Sequence, residues 1–522
     1  MAERDSDALD RGTVLALGAM ALAVFLIAND FTALSVALPK IESEFDSDVS
    51  SVQWIINGYA LVFGVFIVTG GRLADMFGRR RLFFVGAGIF AAFSAVAAVA
   101  PSLGVLLGAR AAMGVGGAIM WPAVLGMTFA ALPERKAGLA GGLVLGVAGL
   151  GNAFGPLLGG FLTDALSWRW VFIINLPVAA LAAFVTWRYI HQPAERDADA
   201  RIDGLGVVTL SGALVALLVA LDQVSDLGWG DPLIVSLLAV FVMAMAAFVA
   251  VERRMGANAL VPRDVMRNPD FTFACVAVLF TAATFFASLL YLPQFFQKLL
   301  SYSPLEAGLA LLPLMATFAL VSFVAGSLYE RLGAKPILSV GVSLMFVGIL
   351  LLSFVGESSG YGATVPGMLV LGCGFGLFIS TITTAAVMSL AATRSSLGGA
   401  ILYMFQVAGG SVGLALTTTV FTRAAQDGLY SDAAAPGVGA STSELDDVQG
   451  VLAGTDSAHR VIEQFPDQAT QITQLVRDAF VDGMSTAFRV DAALAAVGVA
   501  VTVVFVGGRL RLRSAPVAPG ER

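Results

Sequence analysis

Residues Gly71 to Arg81 read GRLADMFGRRR, and residues Gly326 to Lys335 read GSLYERLGAK. Gly71, Leu73, Asp75, Gly78 and Arg80 recur as Gly326, Leu328, Glu330, Gly333 and Lys335, each 255 residues further on. Five matches at one offset are not expected by chance, so the chain carries an internal repeat. Each copy closes an apolar run, one at about 52 to 73 and the other at about 305 to 328. The same offset carries the first apolar run onto the ninth and Gly155 onto Gly410. Two six-run halves therefore flank an inserted pair of runs at about 204 to 251. Repeated halves around a central path are the architecture of secondary transporters, which rock about a midplane site.

Outward from the repeat, fourteen apolar runs can be counted, the first at about 13 to 39 and the last at about 485 to 507. Each is long enough to cross a hydrocarbon core of about 30 Å, which takes about 20 helical residues. The composition agrees: 57% apolar against 13% charged, with a mean hydropathy of +0.85. That excludes a soluble enzyme and a soluble head on a single anchor. The first run is too long for a signal-peptide core and meets no clear cleavage site, so it is expected to be retained. Of the 30 lysines and arginines, 22 fall on the side of the termini, 7 fall opposite, and Arg110 alone lies well inside a run. By the positive-inside bias both termini are cytoplasmic. The predicted fold class is an all-α polytopic membrane protein. Its parts are a cytoplasmic N-terminus (1–12), a first half (13–190), a linker with two inserted helices (191–269), a second half (270–507) and a cytoplasmic C-terminus (508–522).

The second half includes a long outer loop at 423–484, which holds ten acids against three arginines, a balance equal to the net −7 of the chain. It reads as a solvated loop with a short helix near 458 to 480, or as a binding cap. Cys275 and Cys373 sit singly in apolar runs, and His191 and His459 fall in polar segments, so no metal set, redox pair or intramembrane imidazole is indicated. None of Lys40, Lys136, Lys298 and Lys335 follows a glycine, which excludes a Walker phosphate loop. The Gly86 to Ala91 match to a dinucleotide fingerprint lies in an apolar run and carries no weight.

GRLADMFGRRR resembles the loop signature of the major facilitator superfamily, and RAAMGVGGAIMWP (Arg110 to Pro122) resembles the basic fourth-span motif of its fourteen-span drug:proton antiporter branch. Gly142, Gly151, Gly155, Pro156, Gly159 and Gly160 resemble the antiporter signature of the fifth span. DFTALSVALPKI (Asp30 to Ile41), QWIINGYAL (Gln53 to Leu61), WRWVFIINLP (Trp168 to Pro177) and YSPLEAGLALLP (Tyr302 to Pro313) add supporting matches. Met76 and Met113 depart from the usual motif residues, and Val365 stands where the repeat would place a second Arg110. The resemblance then implies coupling chemistry confined to the first half.

Asp30 lies about 17 residues into its run, where a charge costs about 2.5–3.5 kcal/mol on insertion scales. Either it is hydrated near the outer interface, or it faces a cavity as a site for protons and substrate. Burial favours the protonated carboxyl and a neighbouring cation the ionised one, so proton and cationic substrate would compete for it. Arg110 cannot shed its charge and must be paired or hydrated. It is either a structural hub between the first and fourth spans or, as the resemblance implies, part of proton coupling.

The fifth-span glycines allow close helix approach; they are a generic packing face or, as the resemblance implies, a gate seam. Arg79, Arg80 and Arg81 suit positive-inside anchoring. For Gly71, Asp75, Gly78, Arg79 and Arg80, with Glu330 and Arg331 in the second copy, the resemblance implies a cytoplasmic charge latch. Trp54, Tyr59, Phe280, Phe285, Phe286 and Tyr291, with Phe295 and Phe296, could line a greasy pocket or pack against helices and lipid. No second deeply placed acid stands out.

The expected function is proton-coupled efflux of lipophilic, cationic or amphipathic compounds by alternating access in the cell membrane. No cofactor or metal is expected, since the proton gradient drives the cycle. Partners are a small lipophilic substrate, protons and membrane lipid, with no nucleic acid, and the protein is expected to work as a monomer. Rival readings are an exporter of one lipid, fatty acid or native antibiotic, a lipid-modifying membrane enzyme, and a non-transporting receptor or assembly partner.

Overall fold

The computed structural model describes residues 9–47, 49–190, 203–433 and 469–506. The acidic core of the outer loop, the two tails, the segment 191–202 and their basic residues Arg4, Arg196, Arg201, Arg460, Arg509, Arg511, Arg513 and Arg522 lie outside the described residues. Among the described residues there is no strand, and fourteen helices are long and apolar enough to span a membrane. In chain order they are α1 (Arg11–Val36), α2 (Ser51–Phe77), α3 (Arg79–Ala98), α4 (Leu103–Ala130), α5 (Glu134–Ala165), α6 (Trp170–Tyr189), α7 (Gly204–Val224), α8 (Pro232–Met255), α9 (Pro269–Lys298), α10 (Leu305–Leu332), α11 (Ala334–Leu352), α12 (Tyr361–Met388), α13 (Ala392–Gln426) and α14 (Arg477–Phe505). The side on which α1 begins is called the near side and the opposite one the far side.

Local sequence explains the ends. Asp10 caps α1 by accepting the N–H groups of Gly12 and Thr13, which would otherwise lack partners in the first turn. Gly78 and Gly333, equivalent in the repeat, both adopt positive φ (99° and 79°). That conformation suits glycine and lets α2 turn into α3, and α10 into α11, without a loop. The first run does not continue as one helix to Pro39. It passes through a 3-10 turn at Leu34–Val36 into a second helix, Leu38–Phe45, where Lys40 holds Asp164 at 2.8 Å.

Helices α1 to α6 pack among themselves, as do α9 to α14; α5 against α10 and α2 against α13 form the main crossings between the two sets. Under the repeat α2 corresponds to α10 and α13 to α5, so the same pair is used twice. Small residues make both crossings close. A Cβ on Gly71 would lie 2.6 Å from the Ala400 Cβ, and Gly138 and Gly326 meet backbone to backbone. Lipid tails supply no hydrophobic drive between helices, so such packing carries the association. Helix α7 lies beside both α2 and α13, while α8 packs mainly on α7. Among the described residues the most apolar window belongs to α8, at mean hydropathy 2.8, and only 6% of it is buried. It is the least buried of the fourteen.

Candidate functional site

Asp30 on α1 is fully buried. It forms an ion pair with Arg110 of α4 and accepts a hydrogen bond from Asn175 of α6 at 3.0 Å. Arg110 spends its Nε on the Ile55 carbonyl at 2.9 Å, and its guanidinium carbon lies 4.1 Å from the Tyr59 ring centroid. Asn175 also donates to Ser94 at 3.1 Å, and Ser94 donates to the Phe172 carbonyl at 2.9 Å. Five helices of the first half thus converge on one buried carboxylate. The Arg110 Nη2 and the Tyr59 hydroxyl remain without hydrogen-bond partners, so the network holds polar capacity in reserve.

Tyr59 leads outward from this network. Phe31 packs edge-on against Tyr59 at 4.7 Å and against Phe63 at 5.3 Å. Phe63 and Trp121 then reach Tyr403 of α13 at 5.6 Å and 5.1 Å. An aromatic chain therefore joins the Asp30–Arg110 pair to the opposite half. Trp54 is half-buried on the same helix as Tyr59. The α9 aromatics pack elsewhere, within the second half. Phe285 stacks on Phe375 at 4.0 Å, Phe286 lies over Gly410, and Tyr291 stacks on Phe421 at 5.3 Å. Phe280 is half-buried.

The near-side motif residues tie the halves together. Asp75 is buried and accepts the backbone N–H groups of Ser396 at 3.3 Å and Leu397 at 2.9 Å, at the start of the α13 α-helix. Arg79 pairs with Asp75 at 3.2 Å, donates to the Gly126 carbonyl of α4 and reaches across to the Ala392 carbonyl. Arg80 donates instead to the Trp187 carbonyl at 3.0 Å, which anchors α3 on α6. Glu330, the repeat equivalent of Asp75, and Arg331 beside it are exposed and make no such tie among the described residues. A cavity of about 670 Å³ opens beside this junction, lined by Arg79, Arg80, Phe84, Phe129 and Val387. It lies on the near side, away from Asp30.

The α5 glycines divide between two neighbours instead of forming one seam. Gly142 faces α10, where a Cβ would meet the Ser322 carbonyl oxygen at 2.8 Å. Gly151, Gly155 and Gly159 face α1: a Cβ would come within 2.8 Å of Ala28 at the first and would collide with Thr32 and with the Ala33 carbonyl at the other two. Gly160 and Pro156 approach α10 at Leu305 and Gly308.

Sequence reasoning missed several polar residues. Asn175 lies inside the quoted stretch WRWVFIINLP, where an amide among apolar residues was the available signal. Asp222 of α7 accepts from Asn57 of α2 at 3.1 Å. Glu252 at the end of α8 caps the Leu260 and Val261 N–H groups and lies within electrostatic reach of Asp203 and Arg72. The expectation of a single deep acid is corrected by Asp491, which is fully buried at the centre of α14. A last run starting at 485 puts Asp491 near its edge, whereas α14 begins eight residues earlier.

Residues 20–414 match the family model described as Major Facilitator Superfamily. The multidrug resistance protein Stp of Mycobacterium tuberculosis is 32% identical over 79% of this chain and 76% of its own length. The tetracenomycin C resistance and export protein of Streptomyces glaucescens is 31% identical over 93% of this chain and 90% of its own. The puromycin resistance protein pur8 of Streptomyces alboniger is 33% identical over 79% and 82%. The human organic anion transporter MFSD10 superposes with a TM-score of 0.60 over 94% of this chain and 99% of its own, at 12% identity, a likeness of fold.

Proposed function

We propose that this chain, which belongs to the Major Facilitator Superfamily, exports lipophilic cationic or amphipathic compounds in exchange for protons by alternating access. The near side would then be cytoplasmic, in keeping with its excess of arginine and lysine. The proton gradient supplies the drive, without a cofactor.

One observation carries this reading: Asp30 is fully buried, yet its charge is matched by a single arginine whose guanidinium is not fully bonded. A proton on Asp30 removes the attraction and frees Arg110. A cation arriving along the aromatic chain would compete with Arg110 for the same carboxylate. Proton and cation then exclude each other, which is the thermodynamic condition for exchange. The aromatic faces of Tyr59, Phe63, Trp121 and Tyr403 suit a lipophilic cation, since ring faces attract cations. In the same reading Asp75 is the latch that closes the cytoplasmic side, and Gly142 belongs to the seam that opens.

Support comes from relatives named for multidrug and antibiotic resistance. A narrower reading, export of one antibiotic, draws on the tetracenomycin C export protein, whose match runs over nearly the whole chain.

The test is uptake of a fluorescent lipophilic cation into liposomes carrying the purified protein and an imposed pH gradient, for wild type and Asp30→Asn. Gradient-driven movement that Asp30→Asn abolishes supports the proposal. Movement unchanged in the mutant removes Asp30 from the coupling path. No movement by folded wild type turns the reading toward the single-antibiotic exporter.

A further inference from the structure

Asp491, like Asp30, is a carboxylate fully buried within a spanning helix, but its polar surroundings differ from those of Asp30. Its side chain is fully buried, and neither oxygen has a hydrogen-bond partner. Helix α14 packs against α9, α11 and α13. Two contacts fix its antiparallel register on α9. Phe488 meets Tyr291 edge-on at 5.9 Å, and a Cβ on Gly498 would meet Thr281 at 2.5 Å. Between them, Asp491 is level with Ser288.

The hydroxyls around that level are spent elsewhere. Ser288 donates to the Thr284 carbonyl at 2.8 Å, Thr284 to the Thr281 carbonyl at 2.7 Å and Thr417 to the Gly413 carbonyl at 2.9 Å. Tyr291 is the titratable group that α9 brings within electrostatic reach of Asp491. Along α13 the nearest cation is Arg423, beyond Thr418 and Phe421, and the titratable group of α11 is Lys335 at its near-side start. On α14 itself Arg489 is exposed on another face.

An ionised carboxylate in such a place would give up its hydration with no partner in exchange, whereas a neutral carboxyl forgoes only hydrogen bonding, the smaller penalty. Asp491 also ties no helix to another, so a purely structural role has no bond to rest on. The place is the counterpart of Asn175: α6 presents Asn175 to α1, and α14 presents Asp491 to α9, the repeat of α1.

We propose that Asp491 is a second proton-binding site of this protein, neutral in the arrangement described, which exchanges its proton with water during the transport cycle. The second half then has a proton step of its own. This rests on the antiport reading above and extends it, since the motif resemblance confined coupling to the first half.

The experiment is infrared spectroscopy of the purified protein in lipid, with hydrogen–deuterium exchange, combined with counting of protons exchanged per tetraphenylphosphonium ion moved in liposomes. Wild type, Asp491→Asn and Asp491→Glu are compared. The expected result is a protonated-carboxyl band at neutral pH that Asp491→Asn lacks and Asp491→Glu shifts, together with fewer protons exchanged per cation in Asp491→Asn. A band unchanged by Asp491→Asn overturns the proposal, because Asp491 is then ionised. Loss of the band with an unchanged proton count also overturns it, because the proton is then never exchanged. A wild type that moves the cation without protons, while the band still depends on Asp491, overturns the antiport reading and with it the coupling role. Should Asp491→Asn not fold, the Asp491→Glu band shift and proton count decide alone.

Discussion

Asp75 accepts the backbone N–H of Leu397 at 2.9 Å, although the two residues lie in different halves of the chain. The carboxylate acts as a helix cap supplied in trans, placed where the unpaired N–H groups and the positive end of the helix dipole favour negative charge. Its repeat equivalent, Glu330, is exposed. The tie between the halves is therefore asymmetric, and the two positions should respond differently. Replacing a cap by alanine costs about 1 kcal/mol, which shifts a two-state equilibrium about fivefold. Asp75→Ala is expected to raise labelling of a cysteine placed at near-side position 400 by about that factor and to slow transport. Glu330→Ala should change neither.

The Asp30–Arg110 pair predicts a non-additive pair of mutants. Removing one partner of a buried pair strands the other and costs about 3–5 kcal/mol. Arg110→Ala should therefore lower the melting temperature in detergent strongly, because Asp30 keeps only Asn175 as a donor. Adding Asp30→Asn should restore much of the loss, since no charge is then stranded. A double mutant as unstable as Arg110→Ala alone would show that Arg110 acts mainly through Ile55 and Tyr59.

The divided α5 glycines predict two phenotypes from one motif. Gly155→Leu would press on Thr32 of α1, within one half, and overpacking of this kind costs about 1–3 kcal/mol or more. It is expected to reduce the yield of folded protein. Gly142→Ala presses on the Ser322 backbone carbonyl of α10, across the halves, so it should cost less folded yield than Gly155→Leu and fall mainly on the transport rate. Size-exclusion yield and liposome transport, measured on both, separate the two faces.

The fold was legible because its signals are either long or repeated. Fourteen apolar runs and an echo at 255 residues survive any uncertainty at individual helix ends. Asp30 and Arg110 stood out because charges inside apolar runs are costly, and the structure joins them. Asn175 and Ser94 did not, since an uncharged polar residue in a span is cheap and common; only its neighbours show that it completes a network. Asp491 was lost to a boundary, because the polar outer loop pulled the apparent start of α14 inward. The split of the glycine face was out of reach for a different reason. Four-residue spacing places glycines on one helix stripe, but whether that stripe meets α1 or α10 depends on the crossing of three helices, which spacing along one cannot express.

The inserted helices offer the remaining prediction. Asp222 of α7 accepts from Asn57 of α2 at 3.1 Å, while Arg72 of α2 lies near Glu252 of α8 at the opposite end of the pair. Helix α7 also borders Gly64 and Val407, where α2 meets α13. The pair is thus held by a hydrogen bond at one end and electrostatic attraction at the other to a helix that also forms a crossing between the halves. A hydrogen bond to a charged group contributes about 1.5–3 kcal/mol. Asp222→Ala should lower the melting temperature, and Asn57→Ala should have the smaller effect because Asp222 keeps Gln223 as a donor. If α7 and α8 were a passive spacer, both mutants would transport at the wild-type rate. Because α2 carries Tyr59 and Asp75 as well as Asn57, loosening α7 should reach both the Asp30 network and the Asp75 tie to α13, and transport by Asp222→Ala should fall.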